Sequence, residues 1–309
     1  MVQSDPVHAP DETHDDIPST SFFRRAMDRF TLAWMFLTRV PLPKWWNAPL
    51  PDEATDADSR DDKDKGPDKG PDKGPDKGKG MIPLSETVRA WPLVGLFVGA
   101  VAGAVLWCGA QVGLHPMAAA ILGLMTAAVI TGGLHEDGLA DVADGFGGGT
   151  TKQKKLNIMK DSHIGAFGVL ALILIIGFKA TALGGFTGPG LAASALVAAH
   201  VLSRAVMPLM MAVMTPARRG GLGKAAGIPK VEDAVVALII GALMALLILG
   251  LGPGLLALAL TVSGAAAVGW LAQRHIGGFT GDVLGAAQQV VEALVLAGMA
   301  AALQTVFYV

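Results

Sequence analysis

The sequence predicts an all-α protein, a polytopic bundle of about six or seven transmembrane helices with an N-terminal interfacial helix and a disordered linker. The 309-residue chain is 52% hydrophobic and has a mean hydropathy of +0.49, which is more apolar than an ordinary globular domain. Its charged residues are concentrated before Trp91. After Trp91, apolar runs close to the ~20 residues that cross a bilayer follow one another with short connections.

The N-terminal part divides into three segments. Residues 1–21 are acidic and lack a long apolar run, which predicts a disordered tail. In residues 22–50, arginines are mixed with Phe, Leu and Trp, as is typical of an amphipathic helix at a membrane interface. Residues 51–80 repeat the unit KGPD, and this mixture of Gly, Pro and alternating charge predicts a solvated linker. The remaining residues, 81–309, form the predicted transmembrane domain.

Seven apolar segments of this domain are candidate spans. The fifth and sixth are separated only by residues 250–254 and could form one broken element. The segments are 93–113, 117–134, 164–186, 190–214, 233–250, 253–271 and 283–307.

Lys and Arg are distributed unequally between the connections. The loops after the first, third and fifth spans contain neither residue, whereas the N-terminal arm and the connections at 135–163, 215–232 and 272–282 are basic. The positive-inside rule therefore places the N-terminus and these three connections in the cytoplasm. All the conspicuous polar motifs are then expected on that side of the membrane.

Four carboxylates lie within the motif HEDGLADVADGF at 135–146. On a helix, Asp137, Asp141 and Asp144 would fall within about 60° of one another, whereas Glu136 would lie well off this face. Carboxylates so close together repel one another, and a divalent cation is the simplest compensation. Oxygen ligands favour Mg²⁺, Mn²⁺ or Ca²⁺ over Zn²⁺. We therefore predict a metal site at these three aspartates.

Two other interpretations of this motif are open at this point. A solvated acidic loop would need no metal, but it gives no reason for three aspartates to align. An ion-coupled transporter could use them as a cation relay. Against a transporter, the carboxylates cluster at the membrane edge, and the spans contain few ionisable residues, namely Lys179, His200, Arg204 and Glu292.

Further charged residues, most of them basic, are predicted on the same side as the acidic motif. Lys160, Asp161 and His163 follow it in the same loop, and the Gly-rich turn RRGGLGK begins with Arg218 and Arg219. A turn of this kind can hold phosphates. An acidic metal site, basic loops and a membrane scaffold together suggest a transferase that acts on a diphosphate-linked amphiphile.

Two further charged residues are candidates for this site. Arg204 lies inside a span, where a charge needs an anionic partner. Asp282 precedes the last span and is either a charge at a helix N-terminus or a further metal or substrate ligand.

Several motifs resemble the characteristic segments of the cobalamin synthase family, the adenosylcobinamide-GDP ribazoletransferases. The long motifs are GGLHEDGLADVADGFGGG at 132–149, KLNIMKDSHIGAFGVLAL at 155–172 and GGFTGDVLGAAQQVVEALVL at 277–296. The shorter ones are FLTRVPLP at 36–43, SRAVMPLMM at 203–211 and ARRGGLG at 217–223. The KGPD tract departs from the family pattern as an insertion, and Glu136 occupies a position that is often apolar in the family.

The resemblance implies that the transmembrane domain is a Mg²⁺-dependent enzyme of the bacterial inner membrane, with its active site and N-terminus on the cytoplasmic side. The implied reaction joins adenosylcobinamide-GDP to α-ribazole, or to its 5′-phosphate, and yields adenosylcobalamin, or its phosphate, and GMP. Besides these substrates, the expected partners are the lipid bilayer and, in a complex, other enzymes of cobalamin biosynthesis. The net charge of −2 gives no indication of nucleic-acid binding.

Carried onto this chain, the resemblance suggests roles for individual residues, and the finer roles rest on charge and side of the membrane. The metal ligands on the GDP diphosphate would be Asp137, Asp141 and Asp144, with Asp161 and Asp282 as lesser candidates for ligand or base. The groups that hold phosphates would be Lys160, Arg204, Arg218 and Arg219. The groups that assist deprotonation of the ribazole hydroxyl would be His135 or His163. The alternative family is that of the CDP-alcohol phosphotransferases, whose signature also combines the pair DG with later aspartates along helices. The segment DGLADVADG lacks the full spacing of that signature and its Ala-Arg pair.

Deletion of residues 63–80 should leave membrane insertion and activity within about twofold of wild type, because a solvated Gly- and Pro-rich linker makes no packed contacts. Both are measurable on purified membranes. A collapse of activity in the deletion variant would show that the linker interpretation is wrong.

Overall fold

The structure is a computed structural model that describes residues 18–43, 83–218 and 227–305. Within these ranges the chain forms α-helices and no β-strand, which confirms the predicted fold class. The helices are α1 (Pro18–Leu37), α2 (Trp91–Gln111), α3 (Pro116–Thr131), α4 (Leu134–Gly148), α5 (Lys152–Ile158), α6 (Ala166–Gly184), α7 (Pro189–Val213), α8 (Val231–Leu249), α9 (Leu251–Ile276) and α10 (Gly281–Thr305). Two 3₁₀ turns, Leu84–Glu86 and Val88–Ala90, precede α2.

Six of the described helices are long and apolar enough to cross a membrane, namely α2, α6, α7, α8, α9 and α10. The pair α3 and α4 passes the same test together but is bent by 92°, so the predicted count of six or seven is confirmed. The second predicted span, 117–134, is shorter than expected. It ends at Thr131 because Gly132 and Gly133 adopt left-handed φ angles of 66° and 70°, which glycine tolerates without strain.

The fifth and sixth predicted spans are two separate helices, α8 and α9. The break is at Gly250, which has a φ of 81°. A side chain other than glycine would be strained at this angle. The two apolar segments therefore do not form one continuous element.

The N-terminal helix α1 is amphipathic. Arg24 is exposed at one end, whereas Ala33, Trp34 and Leu37 are buried. The Trp34 indole donates to the carbonyl oxygen of Val40 at 2.9 Å. Trp34 also packs on Phe97 of α2, with ring centroids 4.4 Å apart, which places α1 alongside the first half of α2.

The helix α1 begins at Pro18, inside the range predicted as a disordered tail. Proline suits the first turn of a helix, because its missing N–H would be unpaired there anyway. The rest of that tail, residues 1–17, and the KGPD linker at 51–80 lie outside the described residues.

Glycines allow α2 to pack closely on the buried helix α7. Gly95, Gly99 and Gly103 are spaced four residues apart and share one face of α2. A Cβ at Gly95 would collide with the carbonyl oxygen of His200, and one at Gly99 would lie 2.8 Å from the Cα of Val197. Small residues at such positions let membrane helices approach backbone to backbone.

Gly95→Ala should destabilise the bundle by about 1–3 kcal/mol, because the added methyl group meets rigid backbone. Gly177→Ala in α6 is the matched control, since a Cβ there has no neighbour within 4 Å and alanine favours a helix. Thermal unfolding in detergent measures both. Equal melting of the two variants would contradict the close packing of α2 on α7.

Candidate active site

The motif HEDGLADVADGF lies on a helix, which is the condition under which its three aspartates were predicted to share one face. Its three aspartates on α4 differ in exposure: Asp137 is exposed, Asp141 is partly buried and Asp144 is buried. The residues of the predicted face therefore run from solvent into the protein. They lie in three different environments.

Asp144 binds the first turn of α6. Its Oδ2 accepts a hydrogen bond from the backbone N–H of Gly165 at 2.7 Å, and its Oδ1 accepts one from Gly168 at 2.9 Å. A Cβ at either glycine would collide with the carboxylate. The first N–H groups of a helix have no partner within the helix, and a carboxylate there also interacts favourably with the helix dipole. Asp144 thus fixes α4 to α6.

Glycines bring α4 against the start of α10. A Cβ at Gly138 would lie 2.9 Å from the carbonyl oxygen of Asp282, and one at Gly285 would lie 3.2 Å from the Cα of His135. The two backbones are therefore in direct contact. This contact brings Asp282 of α10 next to the aspartates of α4.

The start of α10 is held by its own capping group and by a neighbouring loop. The Thr280 hydroxyl accepts from the N–H of Val283 at 3.3 Å and lies 3.2 Å from Oδ2 of Asp282, to which it donates. Phe279 exchanges backbone hydrogen bonds with Thr215 and Ala217 at 2.9 and 2.8 Å. These bonds fix the loop before α10 to the loop after α7, which leads to Arg218.

Asp141 is the electrostatic centre of this group. It lies on α4, outside the six spans, and its pKa is raised to about 7. Burial is the largest cause of this rise, the carboxylates of Asp282, Asp137 and Asp144 add to it, and the Arg218 guanidinium opposes it. The excess negative charge predicted from the sequence is therefore present, and a cation would relieve it.

Among the described residues, no three Asp, Glu, His or Cys side chains converge as a preformed metal site. This does not conflict with a magnesium site, because Mg²⁺ usually keeps several waters and takes one or two carboxylates plus substrate phosphates. Asp137, Asp141 and Asp282 supply oxygen donors of that kind. The donor set fits Mg²⁺ that binds together with a diphosphate.

The predicted phosphate-holding residues lie in different places. Arg218 donates through Nη2 to the carbonyl oxygen of Leu156 at 2.7 Å and is close enough to Asp141 to influence its pKa. Lys160 is exposed in the loop before α6. Arg219 lies outside the described residues.

The predicted pair Asp161 and His163 is exposed to solvent. Nδ1 of His163 lies 2.7 Å from Oδ1 of Asp161. The hydrogen bond raises the pKa of His163 and lowers the pKa of Asp161. By contrast, His135 is buried, with 2% of its surface exposed, on the side of α4 that faces α10.

A cluster of buried charges lies between α6, α7 and α10. Oε2 of Glu292 is 3.1 Å from Nζ of Lys179. Its Oε1 is 2.5 Å from Nδ1 of His200 and 3.4 Å from Nη1 of Arg204. All four side chains are at most 3% exposed. Arg204, predicted to hold phosphate, thus has Glu292 as its anionic partner inside the bundle.

The buried cluster extends to α4 through a glutamine. Gln289 accepts from Nζ of Lys179 at 2.7 Å and donates to Oε1 of Glu136 at 2.9 Å. Glu136 therefore faces the interior, away from the aspartate face. Sequence reasoning noted the ionisable residues of the spans but not their convergence, although polar groups at membrane depth usually pair with one another.

A cavity of about 150 Å³ opens beside the aspartates. Asp137, His135 and Asp282 form its polar wall. The remaining wall is mostly apolar and includes aromatic side chains of α1, α2 and the loop before α10. A carboxylate-rich surface and an apolar space are thus combined in one site.

These features define a polytopic α-helical membrane protein with an acidic site beside a mostly apolar cavity. Residues 75–300 match the family described as Cobalamin-5-phosphate synthase. The chain belongs to this family.

The relatives agree with the family match. An adenosylcobinamide-GDP ribazoletransferase from Bradyrhizobium diazoefficiens is 46% identical over 213 residues, which cover 69% of this chain and 82% of the relative. Proteins of the same name from Azorhizobium caulinodans and Mesorhizobium japonicum are 44% and 39% identical; the matches cover 70% and 88% of this chain, and 84% and 93% of those relatives. No solved structure matches the chain.

Glu292→Gln should destabilise the protein by about 3–5 kcal/mol, because it leaves the Lys179 and Arg204 cations buried without a carboxylate. Glu232→Gln, at an exposed position in the first turn of α8, is the control and should be close to neutral. Thermal unfolding in lipid nanodiscs measures the difference. If the two variants melt alike, Glu292 does not stabilise the bundle.

Proposed function

We propose that this chain transfers the cobinamide phosphate part of adenosylcobinamide-GDP to α-ribazole, or to its 5′-phosphate, with release of GMP. The observation that carries the proposal is the group of Asp137, Asp141 and Asp282 beside Arg218, at the edge of a membrane bundle. The relatives named for this reaction support it. The product is adenosylcobalamin or its phosphate.

Magnesium is the metal that we propose for this site. Asp137, Asp141 and Asp282 would hold it together with the diphosphate, whose charge the bound ion would neutralise. In this set, Asp282 replaces Asp144, which was predicted as a ligand from the spacing of the aspartates. Both oxygens of Asp144 already accept backbone hydrogen bonds from Gly165 and Gly168. Asp144 is then a positioning residue that keeps α4 in place.

The reaction requires an attack on the phosphorus nearer to cobinamide. The bond to the acceptor oxygen forms and the bond between the two phosphates breaks, so that GMP leaves. Arg218 would hold a phosphate of the donor, since a guanidinium matches phosphate geometry. Of the two histidines considered as proton acceptors, the buried His135 lines the cavity with Asp137, whereas His163 is exposed and paired with Asp161. Placement therefore favours His135.

We also propose that the protein lies in the bacterial inner membrane with this site in the cytoplasm. The basic connections at 135–163, 215–232 and 272–282 support this orientation. The aspartates, Arg218 and the start of α10 all belong to these connections or border them. A nucleotide-linked donor from the cytoplasm would then reach the site directly.

Protein in nanodiscs, given adenosylcobinamide-GDP and α-ribazole, should release GMP only when Mg²⁺ is present, and chelation should stop release. Turnover of a CDP-linked alcohol without GMP release would favour the CDP-alcohol phosphotransferases. Ion-driven uptake in proteoliposomes without nucleotide consumption would favour a transporter.

Asp141→Asn should lower the rate of GMP release by at least about tenfold, because it removes a charge next to the diphosphate. Membrane insertion should be unchanged. Asp28→Asn on α1 is the control and should keep its activity. If Asp141→Asn retains more than about a tenth of wild-type activity, Asp141 is not a metal ligand.

A further inference from the structure

The lining of the cavity beside the aspartates has a polar part and an apolar part. Asp137 and Asp282 belong to the polar part. In the apolar part, Phe36 of α1 stacks on Trp91 of α2, with ring centroids 5.8 Å apart and an interplanar angle of 28°. The Phe279 side chain and two methionines of α7, Met207 and Met211, also belong to the apolar part. Such a lining suits a flat apolar ring.

We propose that this cavity binds the base of the acceptor nucleoside and that Phe36 helps to select the size of that base. The inference rests on the proposed function, which supplies an acceptor with a benzimidazole base. This base is a bicyclic aromatic ring with one free ring nitrogen. An apolar cavity of about 150 Å³ in another protein binds benzene, so the space is of the right order for a ring.

The connectivity of the two substrates favours the acceptor base over the guanine of the donor. In the acceptor, the base and the attacking hydroxyl are attached to the same ribose. A base in the apolar part therefore places the hydroxyl near Asp137 and Asp282, which border the same space. In the donor, a phosphate and a ribose separate the guanine from the phosphorus that is attacked.

The hydrogen-bonding groups of the two bases also favour the acceptor base over guanine. Guanine presents several donors and acceptors, and burying them against apolar side chains is unfavourable unless each finds a partner. The polar side chains in the described lining are His135, Asp137 and Asp282, and two of these are proposed for the metal. A benzimidazole has few polar atoms to satisfy.

The test compares α-ribazole with a riboside of a larger, tricyclic naphthimidazole base. In Phe36→Ala, removal of the ring enlarges the cavity, so kcat/KM for the tricyclic acceptor relative to α-ribazole should rise about tenfold. The KM for adenosylcobinamide-GDP should stay within about twofold. Phe30→Ala is the matched control, because Phe30 also lies partly buried on α1 but packs on Trp34, outside the cavity lining. Its acceptor ratio should not change.

Other results would overturn the proposal. An equal acceptor ratio in the two Phe variants would show that the base does not contact Phe36. A raised KM for the donor with an unchanged ratio would assign the cavity to guanine, and a rate that depends on lipid chain length with an unchanged ratio would assign it to an acyl chain.

A second variant keeps the test decisive if Phe36→Ala does not fold. Met211→Phe narrows the cavity from α7 and should raise the KM for α-ribazole about tenfold without a comparable change for the donor. An unchanged KM for α-ribazole would contradict the proposal. Wild-type protein that releases no GMP from the natural substrates would refute the proposed function instead.

Discussion

The pairing of Glu292 with the cations of α6 and α7 is the interaction on which the rest of the structure depends. Lys179 and Arg204 are buried inside membrane spans, and isolated charges in such an environment are strongly unfavourable. The carboxylate on α10 satisfies both, so three spans are joined at one depth. Gln289 extends the cluster to Glu136, which brings the helix of the acidic motif into the same assembly.

The position of α4 follows from that assembly and not from its own hydrophobicity. The helix is 15 residues long, about 22 Å at 1.5 Å per residue, which is shorter than a span. Its inner side is held by Glu136 and by the contact between Gly138 and α10. Its end is held by Asp144 on α6. Glu136 and Asp144 hold the helix in place. Asp137 and Asp141 therefore remain available to bind a ligand.

Much of the fold could be predicted because hydropathy and helical periodicity act over short stretches of sequence. The spans, the amphipathic α1 and the alignment of the three aspartates are local properties of this kind. The role of Asp144 could not be predicted, since it depends on the N–H groups of Gly165 and Gly168, which approach it only in the folded chain. The place of Asp282 depends likewise on the contact between α4 and α10. Arg204 was predicted as a site residue from its charge and its side of the membrane. Its pairing with Glu292 could not be predicted, because the two residues lie in different spans and meet only in the folded chain.

A site without a complete set of metal ligands is consistent with an ion that binds together with its substrate. Asp141 is partly buried near other carboxylates, so its pKa lies near 7 and much of it is protonated at neutral pH in the absence of a cation. Binding of Mg²⁺ and a diphosphate would displace that proton and bring the carboxylates to a common centre. The rigid parts of the site are then the backbone contacts at Gly138 and Gly285. In the proposed function, the charges that they position would become a metal site only when the donor substrate supplies the remaining oxygens.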